Sequence, residues 1–220
     1  MNSTKKTGRI VGLLFLFIFF IGIVSYQVIQ GPILFSKDFL TITITNKTSI
    51  ILSVLLLLIS GIFSVLAAIQ LLPIFKKHTT RLAFLYLAFC ILSAVAIVID
   101  NTNVLALLEI SSEASKNDFS STLNTLGAVA YKNHWWTHYM SLLISCFPVF
   151  VLYYILFITK LVPKLISTFG MLAVLLMFTE FTASLFGNSI SMNLLLPIGL
   201  VQLFLPIWLL IKGFKETSIT

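Results

Sequence analysis

The chain has 220 residues, of which 59% are hydrophobic and 10% are charged. A soluble domain carries roughly a quarter charged residues, so this composition excludes a water-soluble globular protein and makes lipid the main solvent. The net charge of +7 does not predict nucleic-acid binding, because the basic residues lie in short segments beside apolar runs, where lipid headgroups are their natural neighbours.

Six apolar runs along the chain are long enough to cross a bilayer, which takes about 20 residues per helix. Backbone amides find no water in hydrocarbon, so each run is predicted to be a helix. Lys5, Lys6 and Arg9 precede the first run as in a signal peptide, but no A-x-A cleavage site follows, so we expect a retained span. The chain is therefore predicted to be an all-α polytopic bundle, with residues 1–220 forming one integral membrane domain. The predicted spans are 10–28, 49–75, 82–107, 138–158, 165–185 and 193–211.

Orientation in the membrane is predicted from the 14 Lys and Arg residues, of which ten fall at the two ends of the chain and in the loops on the same side. The alternate loops hold the other four, Lys37, Lys47, Lys116 and Lys132. Positive charge is retained on the cytoplasmic side during insertion, so both termini are predicted to be cytoplasmic. The expected location is the cytoplasmic membrane of a cell.

The longest predicted loop, residues 109–132, lies between the third and fourth spans on the outer side. Within it Ser115 and Asp118 have the spacing of a capping box. The apolar residues that follow would share one helical face. We interpret residues 117–131 as a short amphipathic helix on the membrane surface, and a folded loop without that helix is the alternative. The residues of this face are Phe119, Leu123, Leu126 and Ala130.

Four ionisable side chains are predicted to lie inside or at the edge of the spans: Asp100, His134, His138 and Glu180. Such groups are costly in a membrane and therefore indicate a function or a specific partner. At a rise of about 1.5 Å per residue, all four fall in the outer half of the bilayer.

Each of these groups also shares a helical face with other polar residues at spacings of three or four. Polar faces avoid lipid and turn inward, so the sequence predicts a polar cavity that opens to the outer side. The predicted ligand-binding residues are Asp100, Asn103, His134, His138, Ser141, Glu180 and Ser184.

Three interpretations of this cavity stay open. The polar network is purely structural, or the cavity binds or passes a small ligand, ion or proton with Asp100 and Glu180 titrating. In the third, His134 and His138 join both carboxylates around a transition metal such as zinc, which activates water against a lipid bond. The second interpretation is our leading prediction, and it describes a protein that is not an enzyme. No cofactor motif is present, and the expected partners are membrane lipids and a small ligand or ion, not nucleic acid.

The chain resembles a family of bacterial membrane proteins catalogued as a domain of unknown function, DUF4386. The similarity rests on the opening Lys5-Lys6-Thr7-Gly8-Arg9, on Gly31-Pro32, on Leu161-Val162-Pro163-Lys164 and on the closing Trp208-Leu209-Leu210-Ile211-Lys212. The resemblance implies a bundle of about six helices in the bacterial cytoplasmic membrane. It implies no substrate and assigns no functional residue.

Overall fold

The computed structural model describes residues 3–188 and 190–215, and within those ranges the chain forms helices and short turns, with no strand. A π-helical segment, Ile23–Gln30, joins the first two helices, and a 3₁₀ turn, Met192–Leu195, precedes the last. The α-helices are α1 (Ser3–Gly22), α2 (Gly31–Leu34), α3 (Phe39–Thr45), α4 (Lys47–Lys76), α5 (Thr80–Lys116), α6 (Ser121–Thr159), α7 (Lys164–Leu185) and α8 (Leu196–Lys212).

Six helical stretches in the described part of the chain are long and apolar enough to cross a membrane. Each contains one of the six predicted apolar runs, which confirms the all-α polytopic bundle. The chain is therefore a multi-pass membrane protein. The six stretches are Thr4–Leu34, Lys47–Lys76, Thr80–Lys116, Ser121–Thr159, Lys164–Leu185 and Asn193–Lys212.

The predicted outer loop at 109–132 is replaced by helix on both sides of a four-residue turn. Helix α5 continues to Lys116 and α6 begins at Ser121, so the amphipathic segment expected at 117–131 is the first part of α6 and not a separate surface helix. Hydropathy indicates where the chain leaves the hydrocarbon core of the membrane. A helix can continue beyond that point, because its backbone hydrogen bonds are formed within the helix. With 37 and 39 residues, α5 and α6 are each about 55–60 Å long, well beyond a hydrocarbon core of about 30 Å.

These extensions form a small apolar core of their own, which we call the cap. It joins α2 and α3 to the start of α4, the end of α5 and the start of α6, around Leu34, Ile50 and Leu107. Of the predicted amphipathic face, three residues pack against this core, while Leu126 is exposed. The short helix α3 was not predicted from the sequence. The three packed residues are Phe119, Leu123 and Ala130.

The start of α1 and the segment that follows α8, up to Lys215, lie on the face of the bundle opposite the cap, which we call the terminal face. Helix α1 packs along α8, where a Cβ atom added to Gly12 would lie 2.8 Å from the Pro206 carbonyl oxygen. A Cβ atom added to Gly8 would likewise lie 2.8 Å from the Phe214 backbone nitrogen. The Lys215 backbone N–H donates to the Leu161 carbonyl (2.9 Å). Six crossings bring these two segments to the same face.

Candidate functional site

A carboxylate and two imidazoles form a compact cluster between α5 and α6. The Nδ1 atom of His134 lies 2.9 Å from Oδ1 of Asp100, and Nδ1 of His138 lies 3.0 Å from Oδ2. Asp100 is only 1% exposed and His134 only 4% exposed, while His138 is partly buried. The two histidines are four residues apart on α6 and so point from one face toward the same residue of α5.

Neutral side chains surround this cluster, which we call the Asp100 cluster, and hold its carboxylate in place. The Thr137 hydroxyl lies 3.1 Å from Oδ1 of Asp100 and is 3.3 Å from the Asn103 amide nitrogen that donates to it. The Asn133 amide in turn donates to the Asn103 side-chain oxygen. Asp100 therefore has three polar neighbours, which offset much of the cost of placing a charge between membrane helices.

A cavity of about 390 Å³ lies next to the cluster, between α1, α4, α5, α6 and α8. On α5 its lining runs from Tyr86 to Ile97, a distance of about 16 Å along the helix. Asp100 follows Ile97 by three residues, so the cluster lies at the cap end of the cavity. The lining includes the amides of Gln27 and Gln202. The hydroxyl-bearing residues of the lining are Tyr26, Ser60, Ser64, Tyr86, Ser93, Ser141, Ser145 and Tyr153.

Tyr26 connects the cavity to the cluster. Its ring meets the His138 ring edge to face, with centroids 4.9 Å apart. The same side chain lines the cavity beside Ser141. Tyr26 belongs to the π-helical segment Ile23–Gln30, where the wider turn changes the direction of the side chains from that of an α-helix. Such segments are frequent at functional sites.

Glu180 lies apart from the Asp100 cluster and has a different set of contacts. One carboxylate oxygen accepts the backbone N–H groups of Ile190 (3.2 Å) and Ser191 (3.1 Å), and the Ser184 hydroxyl lies 3.5 Å from the other. Glu180 is 2% exposed, so these contacts join α7 to the loop that leads to α8. The Glu180 carboxylate is therefore an anchor for that loop.

The predicted site residues thus divide into two groups. Among the described residues, Asp100, His134 and His138 form a set whose ligand atoms all lie within 4.8 Å of one another, and Glu180 is not a member of that set. Asn103 contacts the cluster through Thr137, and Ser141 lines the cavity. Ser184 lies next to the Glu180 carboxylate, away from that set.

Three residues in or next to the Asp100 cluster were not predicted: Tyr26, Asn133 and Thr137. The sequence carried a signal for two of them, because Asn133 and Thr137 are four residues apart, directly before His134 and His138, and so form a second polar row on the same helix. Tyr26 gave no such signal, since an aromatic residue at this depth is typical of the membrane interface.

A family model described as "Domain of unknown function (DUF4386)" matches residues 10–213 of the chain. The chain belongs to this family. The match covers all six membrane-crossing stretches in whole or in large part, including the Asp100 cluster and the residues that line the cavity. No match was found among curated proteins or among solved structures. Family membership accordingly confirms the resemblance seen in the sequence.

Proposed function

We propose that this membrane protein binds a small, uncharged, mainly apolar molecule in the cavity between α1, α4, α5, α6 and α8. The observation that carries the proposal is the cavity itself, which combines hydroxyl and amide groups with apolar walls at the depth of the spans. Its volume of about 390 Å³ falls in the range of about 300–1,000 Å³ that is common for small-molecule sites.

The chemistry of the lining favours this class of ligand. Among the described residues that line the cavity, none is Asp, Glu, Lys or Arg, so a charged ligand would lose its hydration there without gaining a counter-charge. Hydroxyl groups such as those of Ser93 and Ser141 can donate and accept hydrogen bonds, whereas Phe15 and Leu152 offer apolar contact. A ligand with one or two polar groups on an apolar body can form hydrogen bonds with the hydroxyl and amide groups and can pack against the apolar side chains.

The Asp100 cluster supplies the most polar end of this site. His138 is partly buried and contacts Tyr26, whose ring lies between the cluster and the cavity.

We further propose that the protein lies in the cytoplasmic membrane with both ends in the cytoplasm, so that the cap face is extracytoplasmic. The support is the excess of Lys and Arg on the terminal face. An impermeant maleimide added to intact cells should label Asp118→Cys, in the turn between α5 and α6, and should not label Lys77→Cys, in the turn between α4 and α5. Labelling of Lys77→Cys with Asp118→Cys protected would reverse the orientation.

The ligand proposal is tested by what the protein retains during purification. Ser93 lines the cavity and is 8% exposed, whereas its neighbour Leu92 is 46% exposed on the outside of the bundle. Phenylalanine at position 93 fills the cavity, and phenylalanine at position 92 leaves it open, which makes Leu92→Phe the matched control.

Protein from cells is reconstituted in nanodiscs and extracted, and the released small molecules are quantified by mass spectrometry. We expect a molecule near one equivalent in the wild type and in Leu92→Phe, and its loss in Ser93→Phe. The proposal is wrong if the wild type retains nothing beyond bulk phospholipid, or if Ser93→Phe retains the same molecule in the same amount.

A further inference from the structure

We infer that Asp100, His134 and His138 form a binding site for one divalent transition-metal ion. Each residue offers a ligand atom, and these atoms all lie within 4.8 Å of one another. The separations of 2.9 and 3.0 Å between each Nδ1 and the carboxylate are close to those between neighbouring ligands of one ion, whose bonds to nitrogen and oxygen are about 2.0–2.2 Å long.

The donor set determines the class of metal. Two imidazoles and one carboxylate suit zinc and iron(II), and three protein ligands leave at least one coordination position open. Calcium and magnesium prefer oxygen ligands and are disfavoured here.

Metal binding at this cluster concerns the two imidazole protons that lie between the histidines and Asp100. With Asp100 ionised, each Nδ1 carries a proton and donates to the carboxylate. For neutral imidazoles, the cation takes the place of those two protons, each of which moves to Nε2 of its own ring, so this exchange releases no proton.

The hydrogen bonds around the cluster are those expected of a metal site. Metal ligands are oriented by outer groups that fix their direction, and loss of such a group typically weakens metal binding about 10–100-fold. Here the Thr137 hydroxyl contacts Asp100, Asn103 contacts Thr137, and Asn133 contacts Asn103. A packing contact between α5 and α6 needs no such chain, because apolar side chains fill the same space at lower cost.

The open coordination site of the bound metal would lie beside the cavity. His138 contacts Tyr26, and Tyr26 lines the cavity, so the cation would lie at the cap end of the cavity, next to bound ligand. The metal site rests only on the three ligand side chains and would stand even if the cavity held no small molecule.

Metal binding is measured on untagged or Strep-tagged protein in nanodiscs after dialysis against EDTA. Cobalt(II) is titrated first, because its visible absorption reports ligation by nitrogen and oxygen, and zinc(II) is then used to displace it. The variants are His134→Gln, His138→Gln and Thr137→Val. His78→Gln is the matched control, since His78 lies in the turn between α4 and α5, outside the set of ligand atoms.

We expect one equivalent of metal in the wild type and in His78→Gln, and no stoichiometric binding in either cluster histidine variant. Thr137→Val keeps all three ligands and should bind about 10–100-fold more weakly. This variant and the wild-type cobalt spectrum decide the question if a histidine variant does not fold.

Absence of stoichiometric metal in the wild type, or binding that survives in both histidine variants, would overturn the site. The failure of this inference is distinguishable from failure of the proposed function, because Ser93→Phe leaves the three ligands intact. If Ser93→Phe loses the retained molecule while the wild type binds no metal, the cavity proposal stands alone.

Discussion

Replacing Asp100 by alanine removes the acceptor that three side chains share. The His134 and His138 Nδ1 groups and the Thr137 hydroxyl would each lose a partner at 2.9–3.1 Å. His134 is 4% exposed and cannot turn to water without opening the contact between α5 and α6. The free energy of unfolding should therefore fall by about 2–6 kcal/mol, because two imidazole N–H groups are left without a partner and each such buried donor costs about 1–3 kcal/mol.

Asp100→Asn removes the negative charge and keeps nearly the same side-chain shape. The amide keeps one acceptor oxygen, and its N–H can donate to a histidine that moves its own proton to Nε2. A charged hydrogen bond then becomes a neutral one, which costs about 1–2 kcal/mol. We therefore expect Asp100→Asn to be clearly less harmful than Asp100→Ala.

Asn101→Ala is the matched control on the next residue of α5. Asn101 is 5% exposed and makes one neutral hydrogen bond, from Nδ2 to the Val54 carbonyl (3.2 Å). A neutral hydrogen bond between membrane helices is worth about 0.6 kcal/mol on average, so this variant should be only slightly destabilised.

The assay is reversible unfolding in mixed micelles with increasing SDS, followed by circular dichroism. The expected order of destabilisation is Asp100→Ala, then Asp100→Asn, then Asn101→Ala. If Asp100→Ala lies within 1 kcal/mol of Asn101→Ala, the cluster contributes little to stability and the reasoning above is wrong.

Three further substitutions test the packing and the role of Glu180. A Cβ atom at Gly170 would lie 2.3 Å from the buried Tyr153 ring, so Gly170→Ala should lower the free energy of unfolding by about 1–3 kcal/mol in the same assay. The control is Gly199→Ala, where the added Cβ meets nothing within 4 Å, and this variant should be as stable as the wild type or more stable. Glu180→Ala should speed hydrogen exchange at the amides of residues 190–191 about tenfold or more, with unchanged cobalt binding. Unchanged exchange would show that Glu180 does not anchor this loop.

Much of the bundle and the centre of the site could be predicted from the sequence. Length and hydropathy locate membrane helices because each must pair its own backbone across the hydrocarbon. Asp100, His134 and His138 could be grouped because polar faces at helical spacing turn away from lipid and toward each other. The structure brings these three residues together.

Other parts of the site depend on contacts that side-chain periodicity does not report. Glu180 shares the depth and the polar face of the other ionisable residues, but it accepts backbone N–H groups of a loop, and no residue type in that loop announces the contact. Tyr26 is directed by a π-helical segment, whose register a 3.6-residue pattern cannot reveal. The cap was missed because its helices lie beyond the hydrocarbon, where hydropathy falls although apolar packing continues.

The cavity is proposed to admit small molecules, and its hydroxyl and amide groups can also hold water, so the two cysteines of the chain allow a direct measurement. Both cysteines belong to the main apolar core and are almost fully buried, Cys90 at 1% and Cys146 at 2% exposure, but of the two only Cys90 lines the cavity. Hydroxyl-radical footprinting in nanodiscs oxidises side chains that lie next to water, including internal water. We expect Cys90 to be oxidised severalfold faster than Cys146, and we expect Ser93→Phe to remove the difference. Equal protection of Cys90 and Cys146 in the wild type would contradict it.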